Sequence, residues 1–188
     1  MVWVNEGAST SAQLWSCESQ DELHHTVTCD SAVLALAVDN VRGRMLVGTQ
    51  QGDIRVWNLH TFQVQADLVG HHSSVLSLVL SDDYVFSASS DSTVRVWDAE
   101  TLQPRACVFP ASTNTGDIYS LAWDAEAQVL YFGCQDTSIE WISITPERLQ
   151  EAACEPLWPT AASYDKFFDS RPRSLWHRTS ETAMSARS

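Results

Sequence analysis

Histidines and paired carboxylates are the residues of this sequence that could bind a metal ion or exchange protons. Neighbouring pairs stand at His24–His25, His71–His72 and Asp82–Asp83. Imidazole and carboxylate groups form zinc sites when they recur at fixed offsets, such as His-Glu-x-x-His on a helix. No histidine in this sequence begins a His-Glu-x-x-His or a His-x-Asp arrangement. The spacing therefore favours turns and solvated loops over metal sites, and leaves His24–His25 open as a pH-sensitive surface patch.

Motifs for nucleophilic catalysis and phosphate binding are missing as well. The sequence holds no Gly-x-Ser-x-Gly elbow and no glycine-rich loop, and it has seven glycines in 188 residues. Such loops place the nucleophile or cradle the phosphates in the enzymes that use them. We therefore predict no catalytic, cofactor-binding or metal-binding residue in this chain.

The five cysteines carry no recognisable framework. Their number is odd and no Cys-x-x-Cys pair occurs, so neither a zinc knuckle nor a redox motif is indicated. The sequence also has no signal-peptide pattern, no apolar run near ~18 residues and no Asn-x-Ser/Thr acceptor. These features predict a reducing, cytoplasmic location and no contact with a membrane.

One hydrophobic pattern recurs along the chain. "DSTVRVWDAE" at 91–100 nearly repeats "QGDIRVWNLH" at 51–60, and Trp15, Trp57 and Trp97 are 42 and 40 residues apart. The equivalent position in the next copy is Ile142, 45 residues further on. Each copy has short runs rich in Val, Ile, Leu and aromatic residues, separated by Asp, Gly, Ser and Asn. A period of about 40–45 residues with four strands per unit is typical of β-propeller blades.

The period predicts an all-β, incomplete propeller of about three full blades and part of a fourth. We place a partial blade at 1–18 and repeats at about 30–60, 70–100 and 115–144. Residues 145–188 are predicted as a short helix from 146 to 153 and a linker or disordered tail, because the composition turns to Pro, Ser, Thr and Arg. Since a propeller ring closes with 4–8 blades, we do not expect this chain to close a ring by itself. We interpret it as a fragment, a truncated gene model or a piece whose missing blades lie elsewhere.

The segment Gly70–Asp98 resembles a full repeat of the WD-repeat β-propeller family. It begins with Gly-His, has an aspartate in a polar turn and ends with Trp-Asp. In that family a histidine, a serine or threonine, an aspartate and the tryptophan form a hydrogen-bonded chain. By position the resemblance implies His71, Ser89, Asp91 and Trp97 as a structural network that stiffens the blade.

The other copies depart from this pattern. The position of His71 holds Cys29 in the preceding copy and Asn114 in the following one, and Gln51 and Asp136 stand where Asp91 does. The last copy also has Ile142 in place of the tryptophan. We therefore expect one blade to carry the complete network and the others to rely on packing.

Charge divides the chain at the same boundary as composition. Residues 1–144 hold 18 acidic and 5 basic side chains, whereas 145–188 hold 6 of each. The net charge of −13 therefore belongs to the repeats. Such an acidic surface repels phosphate backbones, so we predict no nucleic-acid partner and favour a basic protein partner or solubility alone.

Several further segments resemble the amino-terminal propeller of the fungal glutathione-degrading di- and tripeptidase subunits. The most specific are Gly133–Ile139 ("GCQDTSI") and Phe167–Ser170 ("FFDS"), which blade geometry does not demand. In that family the propeller precedes a zinc-dependent metallopeptidase domain and the subunit pairs with a glutamine-amidotransferase-like protein. The resemblance implies a peptidase subunit for glutathione catabolism whose zinc and catalytic residues all lie downstream of this chain.

Two functions remain open on these grounds. The first is a noncatalytic protein-interaction module of such a hydrolase complex, with loops such as Gly70–Ser74 and Ala111–Asp117 presented to the partner. The second is a generic WD-repeat scaffold or adaptor of another intracellular complex, such as one for ubiquitin ligation or trafficking.

Overall fold

The computed structural model describes residues 2–4, 10–15, 23–108, 116–151 and 177–178, which form four antiparallel sheets and one short helix. The first sheet contains β1 (Val2–Val4), β2 (Ser11–Trp15) and β3 (Leu23–Thr28). The second contains β4 (Val33–Asp39), β5 (Arg44–Thr49), β6 (Ile54–Asn58) and β7 (Val64–Leu68). The third contains β8 (Val75–Leu80), β9 (Tyr84–Ser89), β10 (Val94–Asp98) and β11 (Pro104–Val108). The fourth contains β12 (Ile118–Asp124), β13 (Val129–Cys134), β14 (Ile139–Ser143) and β15 (His177–Arg178).

The sheets pack face to face, and three apolar clusters join each sheet to the next. Ala12 and Val27 of the first sheet pack with Met45 and Val47 of the second. The second and third sheets share a cluster that includes Leu46, Val56, Val85 and Trp97. The third and fourth share one that includes Phe86, Val96, Leu130 and Phe132. The predicted fold class, an all-β incomplete propeller, is confirmed.

A tight turn occurs at the same place in three sheets and corresponds to the polar turn residues that recur in the sequence. Gly52, Ser92 and Thr137 occupy the turn before the third strand of their sheets, with φ of 97°, 63° and 69°. This left-handed backbone is costly for residues other than glycine, most of all for a β-branched one. At Gly52 a side chain would also meet the His71 carbonyl oxygen, 2.8 Å from an ideal Cβ.

The outer strands differ from the predicted repeat boundaries. The predicted units at 30–60 and 70–100 stop before β7 and β11, and the first sheet continues to Thr28, beyond the predicted limit of residue 18. The reason is composition, because "VQADL" of β7 is exposed at three of its five positions. Such a strand lacks the apolar alternation by which strands are recognised.

The region after the repeats also differs in part from its prediction. The helix α1 spans Pro146–Glu151, and Leu149 packs into the cluster between the third and fourth sheets. Within the segment predicted as a linker or disordered tail, His177–Arg178 pairs with Glu140 and Trp141 and gives the fourth sheet its outer strand. The remaining tail, including Phe167–Ser170, lies outside the described residues. No helix in the described part of the chain is long and apolar enough to cross a membrane.

Two arginines connect the second sheet to the third at the hairpin end. Arg44 is 2% exposed; its Nε donates to Asp39 Oδ2 at 3.0 Å and its Nη2 donates to the Ala99 carbonyl. Arg42 Nη2 donates to the Asp82 carbonyl at 2.8 Å. Burial alone would raise the pKa of Asp39, but the Arg42 backbone N–H and both guanidinium groups hold it below its usual value.

Candidate functional site

A chain of hydrogen bonds runs through the third sheet. His71, on the segment between β7 and β8, lies 2.9 Å through Nδ1 from Asp91 Oδ2 and 2.8 Å through Nε2 from Ser87 Oγ. Trp97 Nε1 donates to the same Ser87 Oγ at 2.9 Å. Four residues from two strands, one turn and one connection are thereby tied together.

Donor and acceptor roles in this chain are mutually consistent. The Ser87 oxygen accepts from Trp97, so its own hydrogen is available to His71 Nε2. His71 Nδ1 then carries the ring hydrogen and donates to Asp91. Thr93 Oγ1 donates to Asp91 Oδ1 at 2.6 Å and completes the cluster. Each buried polar group in the chain has a partner, which is the condition for a rigid network.

Asp91 is the charged end of the chain. Besides His71 and Thr93 Oγ1, its carboxylate accepts the backbone N–H groups of His72 at 2.9 Å and Thr93 at 3.0 Å. Burial alone would raise the pKa of Asp91. The hydrogen bond from His71, followed by those from Thr93 and the His72 backbone N–H, outweighs burial and holds this pKa well below its usual range.

The structure corrects one member of the predicted network. His71, Asp91 and Trp97 come together as predicted from the WD resemblance, but the hydroxyl between His71 and Trp97 belongs to Ser87, not to Ser89. Trp97 lies opposite Val85 in the ladder, so Ser87 is its diagonal neighbour and Ser89 lies too far along β9. The Ser89 Oγ donates instead to the Ser73 carbonyl at 3.1 Å.

The neighbouring sheets lack this chain in the part of the molecule that the structure describes. Val47 and Phe132 occupy the register of Ser87, opposite Arg55 and Glu140. The indole Nε1 of Trp57 is buried without a hydrogen-bond partner. Asn114 lies outside the described residues, so its role stays a prediction.

Metal binding finds no support among the side chains that are described. They contain no group of three or more His, Cys, Asp or Glu residues placed to hold an ion. The nitrogens of His71 are engaged in the chain already described, and Cys29, Cys107 and Cys134 are buried cysteines that form no disulfide.

An apolar row crosses the surface at the start of the innermost strands. In β4, β8 and β12 the ladder register shifts just after the first residue, so that the second residue has no partner on the next strand. Such a bulge turns the extra residue away from the ladder. The residues at this position are Leu34, Leu76 and Tyr119. Leu34 is 44% and Tyr119 is 51% exposed, and Leu76 is half-buried.

The apolar row is carried by rigid elements. The innermost strands of neighbouring sheets contact each other, and the Leu121 backbone N–H donates to Ser77 Oγ across the gap at 3.2 Å. The sequence predicts loops such as Gly70–Ser74 as the surface presented to a partner, and this row differs from that prediction. Its signal is the apolar residue that directly follows the first strand residue in each copy.

Comparison with known proteins agrees with the geometry. Residues 62–98 match the family model described as "WD domain, G-beta repeat". The chain carries a WD repeat. The match begins just before β7, the outer strand of the second sheet, and ends with β10 of the third.

Two curated relatives and two solved structures illustrate the range of similar proteins. The chain is 37% identical over 118 residues to zinc finger CCCH domain-containing protein 17 of Oryza sativa subsp. japonica, covering 61% of this chain and 26% of that protein. It is 28% identical over 171 residues to the probable di- and tripeptidase DUG2 of Saccharomyces cerevisiae, covering 79% of this chain and 20% of that protein. The chain therefore spans about a quarter or less of the length of these relatives.

Among solved structures, the computationally designed Ika8 protein has a TM-score of 0.63 and 24% identity, covering 76% of this chain and 45% of its own. The structure of U3-55K has a TM-score of 0.63 and 20% identity, covering 74% and 44%. These two likenesses concern the fold alone. The WD-repeat resemblance is confirmed, whereas the likeness to di- and tripeptidase subunits stands at a distant 28% identity.

Proposed function

We propose that this chain is a noncatalytic WD-repeat module that binds a protein partner through the row of Leu34, Leu76 and Tyr119. The observation that carries the proposal is the repeated exposure of an apolar side chain at one bulge position on rigid strands. Apolar side chains held together on a surface gain free energy when a partner covers them. A rigid scaffold keeps the entropic cost of binding low.

We further propose that the module is the propeller part of a subunit that degrades glutathione. Support comes from the similarity to DUG2, a probable di- and tripeptidase, which extends over 79% of this chain. The partner would then be a glutamine-amidotransferase-like protein, and hydrolysis of γ-glutamyl peptides would use zinc and catalytic residues outside this chain. A cytoplasmic location fits this role.

A second candidate function is that of a general scaffold or adaptor for another complex. It is favoured by the diversity of the relatives at higher identity, since the kinesin-like protein KIF21A of Homo sapiens is 35% identical over 86 residues. Together with the rice zinc finger protein at 37%, it indicates that blades of this kind occur in proteins of different names.

Affinity capture from a fungal lysate separates the two functions. The 188-residue chain is used as bait beside a Leu76→Asp/Tyr119→Asp variant, and hydrolysis of glutathione is assayed on the bait and on the captured complex. The control is Val41→Asp, since Val41 is 86% exposed on the hairpin at the opposite end of β4.

We expect an amidotransferase-like protein on the parent and on the control, hydrolysis only in the captured complex, and loss of capture with the double variant. Capture of other proteins, lost with the same variant, would favour the adaptor. Equal capture by all three baits would contradict the role of the apolar row.

A further inference from the structure

Arg55 and Arg95 hold the same position in the second and third sheets but have different surroundings. Arg55 lies opposite Asp67 in the ladder, and Arg95 lies opposite Cys107. The Arg55 Nε donates to Asp67 Oδ1 at 2.9 Å, and its Nη2 donates to Asp30 Oδ2 at 3.2 Å. The second sheet thus shows how a carboxylate fits a guanidinium at this position.

Neither of these two acids has a counterpart in the third sheet. Cys107 stands where Asp67 does, and His72 stands where Asp30 does. The Nε of Arg95 is buried without a hydrogen-bond partner. The side chains of Arg42, Arg44, Arg55 and Arg105, in contrast, each contact a carboxylate. Arg95 is therefore an unpaired cation in an acidic protein.

Packing fixes the guanidinium of Arg95 in place. An ideal Cβ on Gly70 would lie 2.8 Å from Arg95 Nη1 and 3.1 Å from the Trp97 ring, so the absence of a side chain there lets the guanidinium lie against the backbone. Asp91, which like Arg95 acts on His72, is already engaged by His71, His72 and Thr93. A guanidinium that is held rigidly loses little entropy when it binds a carboxylate.

We propose that Arg95 binds the carboxylate of an Asp or Glu side chain from a protein partner through the outer nitrogens of its guanidinium, as Arg55 Nη2 binds Asp30 in the second sheet. Charged hydrogen bonds to a partly buried guanidinium are stronger than neutral ones. Exposed Val69, 66% accessible on the same segment as Gly70, offers an apolar contact beside the charge. Because the protein as a whole is acidic, the matching segment has one acid among neutral or basic residues.

The site also makes a prediction about His72. The pKa of His72 is lowered, first by burial and then by the charge of Arg95. A carboxylate bound to Arg95 would offset that charge, so the pKa of His72 rises on binding. Arg95 lies on β10, two strands outward from β8, which carries Leu76 of the apolar row. A negative result at Arg95 would therefore not contradict the proposed function, and a negative result at the apolar row would not contradict the Arg95 site.

The test compares two capped peptides, Val-Glu-Val and Val-Gln-Val, by NMR titration of the full chain. The Arg95 Nε–Hε signal and the His72 ring signals report on binding. We expect about fivefold tighter binding of the Glu peptide to the parent, the upper range for a partly exposed ion pair. Cys107→Asp supplies an internal carboxylate and should abolish the preference, whereas the matched control Cys107→Asn should keep it.

Arg95→Gln should also abolish the preference, and Leu76→Asp/Tyr119→Asp should leave it unchanged. Equal affinity of the two peptides for the parent would overturn the proposal, and so would a preference that survives in Arg95→Gln. Inorganic phosphate and acetate are compared at equal ionic strength. A larger Arg95 response to phosphate would overturn the assignment to a carboxylate.

Discussion

The second and third sheets share one strand pattern yet stabilise their tryptophans in different ways. Trp97 is 1% exposed and joined through Ser87 and His71 to Asp91. Trp57 is half-buried, and its buried Nε1 has no hydrogen-bond partner. The second sheet forms the same strands without the hydrogen-bonded chain. Packing alone is therefore sufficient to form a blade, and the chain is an additional feature of the third sheet.

Removing the two tryptophans is the strongest way to break this comparison. Trp97→Ala deletes a fully buried ring and leaves Ser87 without its donor, so we expect a loss of ~3–5 kcal/mol in the free energy of unfolding. Trp57→Ala should cost less, because its ring is half-buried and its donor is already unpaired. Urea unfolding of both variants measures the difference, and equal losses would contradict the added role of the polar chain.

A smaller change removes only the bridging hydroxyl. Ser87→Ala leaves Trp97 Nε1 and His71 Nε2 buried without their partner, and an unsatisfied buried group costs about 1–3 kcal/mol. Ser89→Ala is the matched control, since the hydrogen bonds of the Ser89 hydroxyl are to two backbone groups, the Ser73 carbonyl and the Asp91 N–H. A larger loss in the Ser89 variant would restore the assignment that the sequence first suggested.

Acid should weaken the third sheet through Asp91. Its folded-state pKa lies below the unfolded value, so the stabilisation is present above about pH 4 and is lost as pH falls toward the folded-state pKa. Comparing unfolding free energies at neutral pH and near pH 3 should show a smaller decline in Asp91→Asn than in the parent. Identical pH profiles would mean that the acid response arises elsewhere.

The sequence period predicts most of the fold, because strand alternation and turn residues recur at a fixed distance from each tryptophan. Three of the four network members follow from the same pattern. Ser87 does not, since choosing between two serines on one strand requires the ladder register. The unpaired state of Arg95 also depends on register, because Cys107 becomes its neighbour only when β11 is placed beside β10. The exposed residues at the bulges depend on a register shift that no spacing in the sequence reveals.

The matched repeat at 62–98 begins just before β7, the outer strand of one sheet, and ends with β10 of the next. The repeating unit of sequence and the unit of packing are therefore offset by one strand. The matched copy therefore supplies the outer strand of the second sheet and three strands of the third sheet. Excising one copy would leave one sheet without its edge and remove most of another, so the strands cannot be exchanged as independent blades.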